Sequence, residues 1–125
     1  MKRDWDVIRE LLTRVEECSV PGDMIQLSSF PSERAAEISY HMELLFEAGL
    51  VGGQMSKTIG PGPSSFFATR LTWDGHEFLD GIRSETVWQK TKKAFISNGV
   101  SMTFDLVKSV AKEAASALLQ SAIGG

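Results

Sequence analysis

Apolar side chains recur at intervals of three and four from Trp5 through Ile8, Leu11, Leu12 and Val15, while Arg9, Glu10, Arg14 and Glu17 fall on the other side. That is the spacing of an amphipathic helix. Asp4 stands where an N-cap belongs, since its carboxylate can accept a free amide hydrogen of the first turn. Val20-Pro21-Gly22-Asp23 ends the helix and turns the chain, and residues 24–27 fit a short strand. Beyond Ser28, Ser29 and Pro31, a second stripe of Ala35, Ile38, Met42, Leu45 and Ala48 predicts a helix over about 32–48. Gly49 follows it, where a helix end favours the left-handed conformation that glycine adopts without a side-chain clash.

Residues 50–58 and 66–72 both fit strands, and the IGPGPSS between them holds two prolines and two glycines that can continue neither. This predicts a hairpin with a stiff tip. Thr72 can cap a helix over 73–83 with Phe78, Leu79 and Ile82 inward, and 84–96 reads as a helical continuation. In that continuation Val87, Trp88, Thr91 and Phe95 share one side, with Lys90 and Lys93 nearer the other, until Asn98-Gly99 breaks it. A last segment, 103–123, repeats Phe104, Val107, Ala111, Ala114, Leu118 and Ala122 near a 3.5-residue period. A second stripe carries Leu106, Val110, Ala117 and Ile123. Two apolar faces exceed what one contact with a compact domain needs. The helix is therefore expected to self-associate or dock a partner through Phe104, Val107, Ala111, Ala114 and Leu118; the competing expectation is that it folds back and completes its own core.

Helix, short strand, helix closed by glycine, hairpin, helix is the order of a winged helix. The expected fold is mainly α with a small β-hairpin, a winged helix-turn-helix domain over 1–97 and a C-terminal amphipathic helix over 98–125. A length of 125 residues with 42% hydrophobic side chains suits one packed core. Cys18, the single cysteine, excludes an internal disulfide framework and a cysteine-rich zinc site. A reducing compartment, the cytoplasm, follows as the expectation. MKRDWDVIRELL places charges inside its first apolar stretch, unlike a signal peptide, and no segment approaches the ~20 apolar residues that span a bilayer. Charge is unevenly placed: residues 1–88 hold 8 Lys+Arg against 14 Asp+Glu, and residues 89–125 hold 5 against 2. An acidic surface repels phosphate.

Residues 39–51, SYHMELLFEAGLV, resemble the recognition-helix stretch of small bacterial winged-helix regulators, and LTWDGHEFL resembles the Leu-Thr-x-x-Gly segment after their wing. MKRDWDVIRELL, YHMELLFEAGLV and LTWDGHEFLDGIR followed by VWQKTKK, taken in order, resemble the bacterial and phage family catalogued as domain of unknown function 2513, over about residues 1–95. The resemblance implies a fold and a frequent mobile-element context; it implies no activity. The last 30 residues carry no resemblance.

A groove-inserting helix gains affinity from Arg or Lys on phosphates and bases. Residues 31–49 offer Glu33, Glu37, Glu43 and Glu47 against Arg34 alone, and the places of Glu43 and Phe46 are often basic in the regulators. Between Leu27 and Tyr40 there is room for no more than a stub of a preceding helix, or one fused to the next. The wing carries Lys57 and Arg70, fewer basic groups than a minor-groove tip needs. Lys90, Lys92 and Lys93 form the dense basic cluster, either a contact for phosphate or an acidic partner, or the solvated face of a helix. GPGPSS lacks the following lysine-bearing helix of a phosphate loop. His41, expected at the helix surface or beside the wing, and His76, between Asp74 and Glu77, lack metal-ligand spacing. Cys18 reads as a packed or half-exposed residue, Trp5, Trp73 and Trp88 as core, and Gly124-Gly125 as a frayed end. The expectation is a non-enzymatic binding module without cofactor, metal or membrane, whose partner is a protein, itself or another. The alternative is a DNA-binding regulator of a phage or integrated element using Arg34, Lys57, Arg70, Lys90, Lys92 and Lys93, and a weaker third option is an enzyme whose site the sequence does not display.

Overall fold

The computed structural model describes residues 1–56 and 60–124. Helices dominate, with one small antiparallel sheet. Two compact units divide the chain, Met1–His76 and Glu77–Gly125.

In the first unit, Asp4 caps helix α1 (Trp5–Glu16), its Oδ1 accepting from the amides of Asp6 at 2.9 Å and Val7 at 3.4 Å. The expected stripe is buried, joined by Val7. Each fully buried Leu or Ile there contributes about 1.5–3 kcal/mol relative to exposure. After α1 the Asp23 carboxylate accepts from the amides of Ser19 and Val20 and closes the turn. Strand β1 (Ile25–Gln26) is followed by two short 3-10 turns, Leu27–Ser29 and Ser32–Arg34. Those turns are the stub anticipated ahead of the central helix. Helix α2 (Ala35–Glu47) thus starts three residues later than its apolar pattern suggests, and Gly49 follows it with φ +72°. The Leu50 amide donates to the Leu45 carbonyl at 3.0 Å, a bond that this left-handed step makes possible.

The sheet order is β1-β3-β2, from β2 (Val51–Met55) and β3 (Phe66–Leu71), so β1 adds a third strand to the expected hairpin. Ile25 pairs with Ala68 and Gln26 with Phe67; β2 meets β3 through a bulge at Gly52/Gly53. The bulge needs glycine: Gly53 has φ +147°, and a Cβ there would run into the Phe67 carbonyl. Val51, Phe66, Ala68 and Leu71 face the core. Thr72 then joins sheet and helix, its Oγ1 accepting from the Gly75 amide at 3.0 Å at the start of α3 (Trp73–Ile82), as the capping reading expects.

In the second unit, Phe78, Leu79 and Ile82 of α3 are buried. The expected continuation is a separate helix, because the chain breaks after Ile82 and restarts where Ser84 Oγ accepts from the Val87 amide at 3.2 Å. Helix α4 (Glu85–Asn98) buries Val87, Trp88, Thr91 and Phe95 and ends at Gly99, φ +64°. Helix α5 (Phe104–Gly124) lies in the same compact unit as α4, beyond the 97/98 boundary read from the sequence. Among the described residues no helix is long and apolar enough to cross a membrane.

Candidate functional site

The outward side of α2 decides what that helix can meet. Glu33, in the turn before it, and Glu43 and Glu47 along it are exposed. Arg34, the cation expected to offset them, is taken up elsewhere: its guanidinium donates to both Glu10 oxygens, at 2.9 and 2.8 Å, and reaches Glu37 at 3.4 Å. Such a paired fork is the strongest carboxylate geometry available to arginine. Its hydrogen bonds, aided by the Arg34 charge, hold the Glu10 carboxyl below its ordinary range despite partial burial, and Arg34 is held protonated in return. Arg34 is a brace between α1 and the start of α2.

The inward side of α2 is more polar than its apolar spacing suggests. His41, expected at the surface, is 1% exposed. Its Nε2 accepts from the Asp4 amide at 2.8 Å, 37 residues away, and its Nδ1 lies 2.8 Å from the Glu37 carbonyl. Those partners assign the neutral tautomer with the proton on Nδ1. His41 therefore fixes the entrance of α1 against α2. Ser39 Oγ donates to the Ser64 carbonyl at 2.8 Å and ties α2 to the connection that leads into β3. Ala48, placed in the stripe by spacing, is exposed instead, because the buried arc runs through Ile38, Ser39, His41, Met42 and Leu45.

The basic candidates divide by sequence between the two units, Arg34, Lys57 and Arg70 in the first and Lys90, Lys92 and Lys93 in the second. Lys57 lies outside the described residues. Arg70 is exposed on β3, with Nη1 3.4 Å from the Leu71 carbonyl and its stem against Gly52. On α4, Lys92 is half-buried with its ammonium 5.6 Å from the Trp88 ring centroid, while Lys90 and Lys93 are exposed.

Helix α5 changes character along its length. Phe104, half-buried, stacks on Phe78 with ring centroids 4.7 Å apart, and Val107 and Ala111 are buried, so Val107 and Ala111 belong to the core of their own unit and Phe104 packs against it. Ala114 and Leu118 are half-buried. Leu119 and Ile123 are 61% and 83% exposed. A groove of about 490 Å³ opens beside Leu119, with Phe78, Ile82 and Ala115 in its lining and Lys108 and Lys112 among its polar residues.

Sequence reasoning missed Trp73, which is 77% exposed and not core. The signal was present: Trp73 precedes buried Phe78 by five residues, roughly 140° around a helix from it. The other chemistry is sparse. Cys18 is half-exposed, and desolvation with Asp23 and Glu17 nearby pushes its thiol up, opposite to what a nucleophile requires. His76 Nδ1 lies 3.8 Å from Glu16 Oε2. Among the described residues no three His, Cys, Asp or Glu side chains are placed to hold a metal ion.

These features define a small, mainly helical protein with a three-stranded antiparallel sheet and outward surfaces that are acidic on α2 and apolar at the end of α5. The chain belongs to the family described as hypothetical protein, domain of unknown function 2513, whose model matches residues 2–101. It is similar to an uncharacterized protein of Haemophilus influenzae, 35% identical over 119 residues, a match covering 95% of this chain and 99% of that protein. A match of that extent runs well into α5, so the C-terminal helix does have a counterpart in a relative. No solved structure matches the chain.

Proposed function

We propose that this protein is a non-enzymatic binding module of the winged helix-turn-helix class, with β2 and β3 as the wing, that associates with protein through its C-terminal helix. The partner we assign first is a second copy of the chain. One observation carries the reading: the end of α5 leaves Leu119 and Ile123 in water, and no charged side chain occurs from Ala114 to the end of the helix. An uncharged apolar surface is stabilised by covering it, and a copy of itself brings no like charge against it. Because Phe104, Val107 and Ala111 are already used internally, the contact falls on Leu119, Ile123 and the half-buried Leu118. Nucleic acid is the lesser reading, because docking α2 would bring Glu33, Glu43 and Glu47 toward phosphates while Arg34 is held by Glu10. A cytoplasmic place and a mobile-element setting are consistent with a small module of this kind.

Light scattering on the full chain over a concentration series, beside Leu119→Glu/Ile123→Glu, tests it. The expected result is a dimer or larger species for the parent and a monomer of unchanged thermal midpoint for the variant. A parent chain that stays monomeric sinks the self-association reading. Sequence-selective DNA binding in a gel-shift series, lost in Lys90→Glu/Lys93→Glu, favours a regulator instead.

A further inference from the structure

We infer that the surface around Trp73 is a docking site for a basic protein segment, one that lays an arginine or lysine on the indole while its charge meets nearby carboxylates. Three tryptophans occur, and two are nearly closed off, Trp5 at 8% and Trp88 at 1% exposure, whereas Trp73 is 77% exposed. An indole left in water on a fixed backbone is the side chain most often found at the energetic centre of a protein interface. The backbone here is fixed. The Thr72 hydroxyl donates to the Gly49 carbonyl at 2.6 Å, the Thr72 amide donates to the Leu50 carbonyl at 3.0 Å, and Gly75 packs so closely on that same carbonyl that no Cβ fits between them. The start of α3, which carries Trp73, is thus held beside the C-terminal end of α2.

Charge selects the occupant. Asp74 adjoins Trp73 in sequence and is exposed, as are Glu43 and Glu47 on the last two turns of α2. The unit Met1–His76 holds 7 Lys+Arg against 11 Asp+Glu. Arg70, the basic side chain of the adjoining strand, lies along Gly52 and turns its Nη1 to the Leu71 carbonyl. A nucleic acid or an anionic lipid surface would be repelled by these carboxylates, and an uncharged segment would leave them without a partner. A guanidinium satisfies both features, since its flat face stacks on an indole while its edge pairs with a carboxylate. The inference does not rest on self-association, because it uses no residue of α5.

The test titrates the full chain with an acetylated nona-arginine peptide at physiological ionic strength, read by tryptophan emission and by calorimetry. Trp73, as the exposed indole, dominates any change on binding. Saturable binding is expected, weakened about three- to fivefold by Trp73→Ala. Glu47→Gln and Asp74→Asn should each weaken it about twofold or more, while Glu33→Gln, before the other end of α2, leaves it unchanged. Equal weakening by Glu33→Gln and Trp73→Ala would mean attraction by net charge alone and overturns the site, as does absence of saturable binding. Light scattering on Trp73→Ala should match the parent, which separates this site from the α5 contact.

Discussion

The two compact units hold themselves together differently. In Met1–His76, polar side chains reach across the fold: Arg34 to Glu10 over 24 residues, Ser39 to Ser64 over 25, His41 to Asp4 over 37. In Glu77–Gly125, the bonds of Ser84, Thr91, Asn98 and Thr103 stay within four residues, and distant segments meet through apolar contact, Phe78 on Phe104 and the buried Val107 and Ala111. Hydrogen bonds are directional and leave a penalty when one partner is removed, whereas apolar burial scales with area and accepts substitutions of similar volume. The first unit should therefore be sensitive to the identity of a few polar and glycine positions, and the second to volume.

The largest effect is expected at the junction of β2 and α3. Gly75→Val forces a branched side chain into the Leu50 carbonyl, and the variant should lose its cooperative urea transition. Gly49→Val is the contrast: nothing lies within 4 Å of a Cβ there, so only the φ of +72° opposes it, at about 1 kcal/mol. A Gly75→Val chain that unfolds like the parent would show that α3 is not locked to the start of β2 through this contact. In the second unit, Trp88→Ala should lower stability by about 3–5 kcal/mol by opening a cavity, while Trp88→Phe recovers much of it. If Phe recovers nothing, the unit depends on a specific bond of the indole and the contrast weakens.

His41→Leu tests the first unit from the other side. It keeps an apolar body in place but strips the Asp4 amide of its acceptor, and a loss of about 1–3 kcal/mol is expected in chemical denaturation. A neutral outcome would make His41 a space-filler. Smallest is Arg34→Met, about 1 kcal/mol or less, because the Arg34 and Glu10 side chains are 30% and 37% exposed and water screens the pair. Its pH dependence is diagnostic. The Arg34 hydrogen bonds lower the Glu10 pKa, so their contribution is complete above the ordinary carboxylate range and disappears as pH falls through the lowered value. The difference between parent and Arg34→Met should narrow in acid; a constant difference would assign the effect to packing of the arginine stem.

Much of the architecture was legible from local chemistry. Asp4, Thr72 and Ser84 sit where caps belong, and two of the three were recognised as such, because a cap needs only one side chain and the next turn. Gly49 and Gly99 mark helix ends for the same local reason. Less of the site was legible. Spacing assigned Ala48 to a buried stripe and Trp73 to the core, since periodicity identifies a face but not where the neighbouring element ends. His41 was misplaced, and the pairing of Arg34 went unseen, because their partners, the Asp4 amide and Glu10, lie far off in sequence, and residue type alone does not say which carboxylate or amide will arrive.

The sequence by itself determined which segments are helical, the Asp4 and Thr72 caps, the glycine and proline breaks, and an α2 rich in glutamate. Propensity, capping and charge act within a few residues, so they can be read along the chain. Only the tertiary structure decided that β1 completes the sheet, that Arg34 is a brace and His41 a core ligand for a backbone amide, that Trp73 faces water, and that α5 is core in its first half and exposed at its end. Each of those depends on which surface another element covers, and burial is a property of the assembled pair rather than of either segment alone.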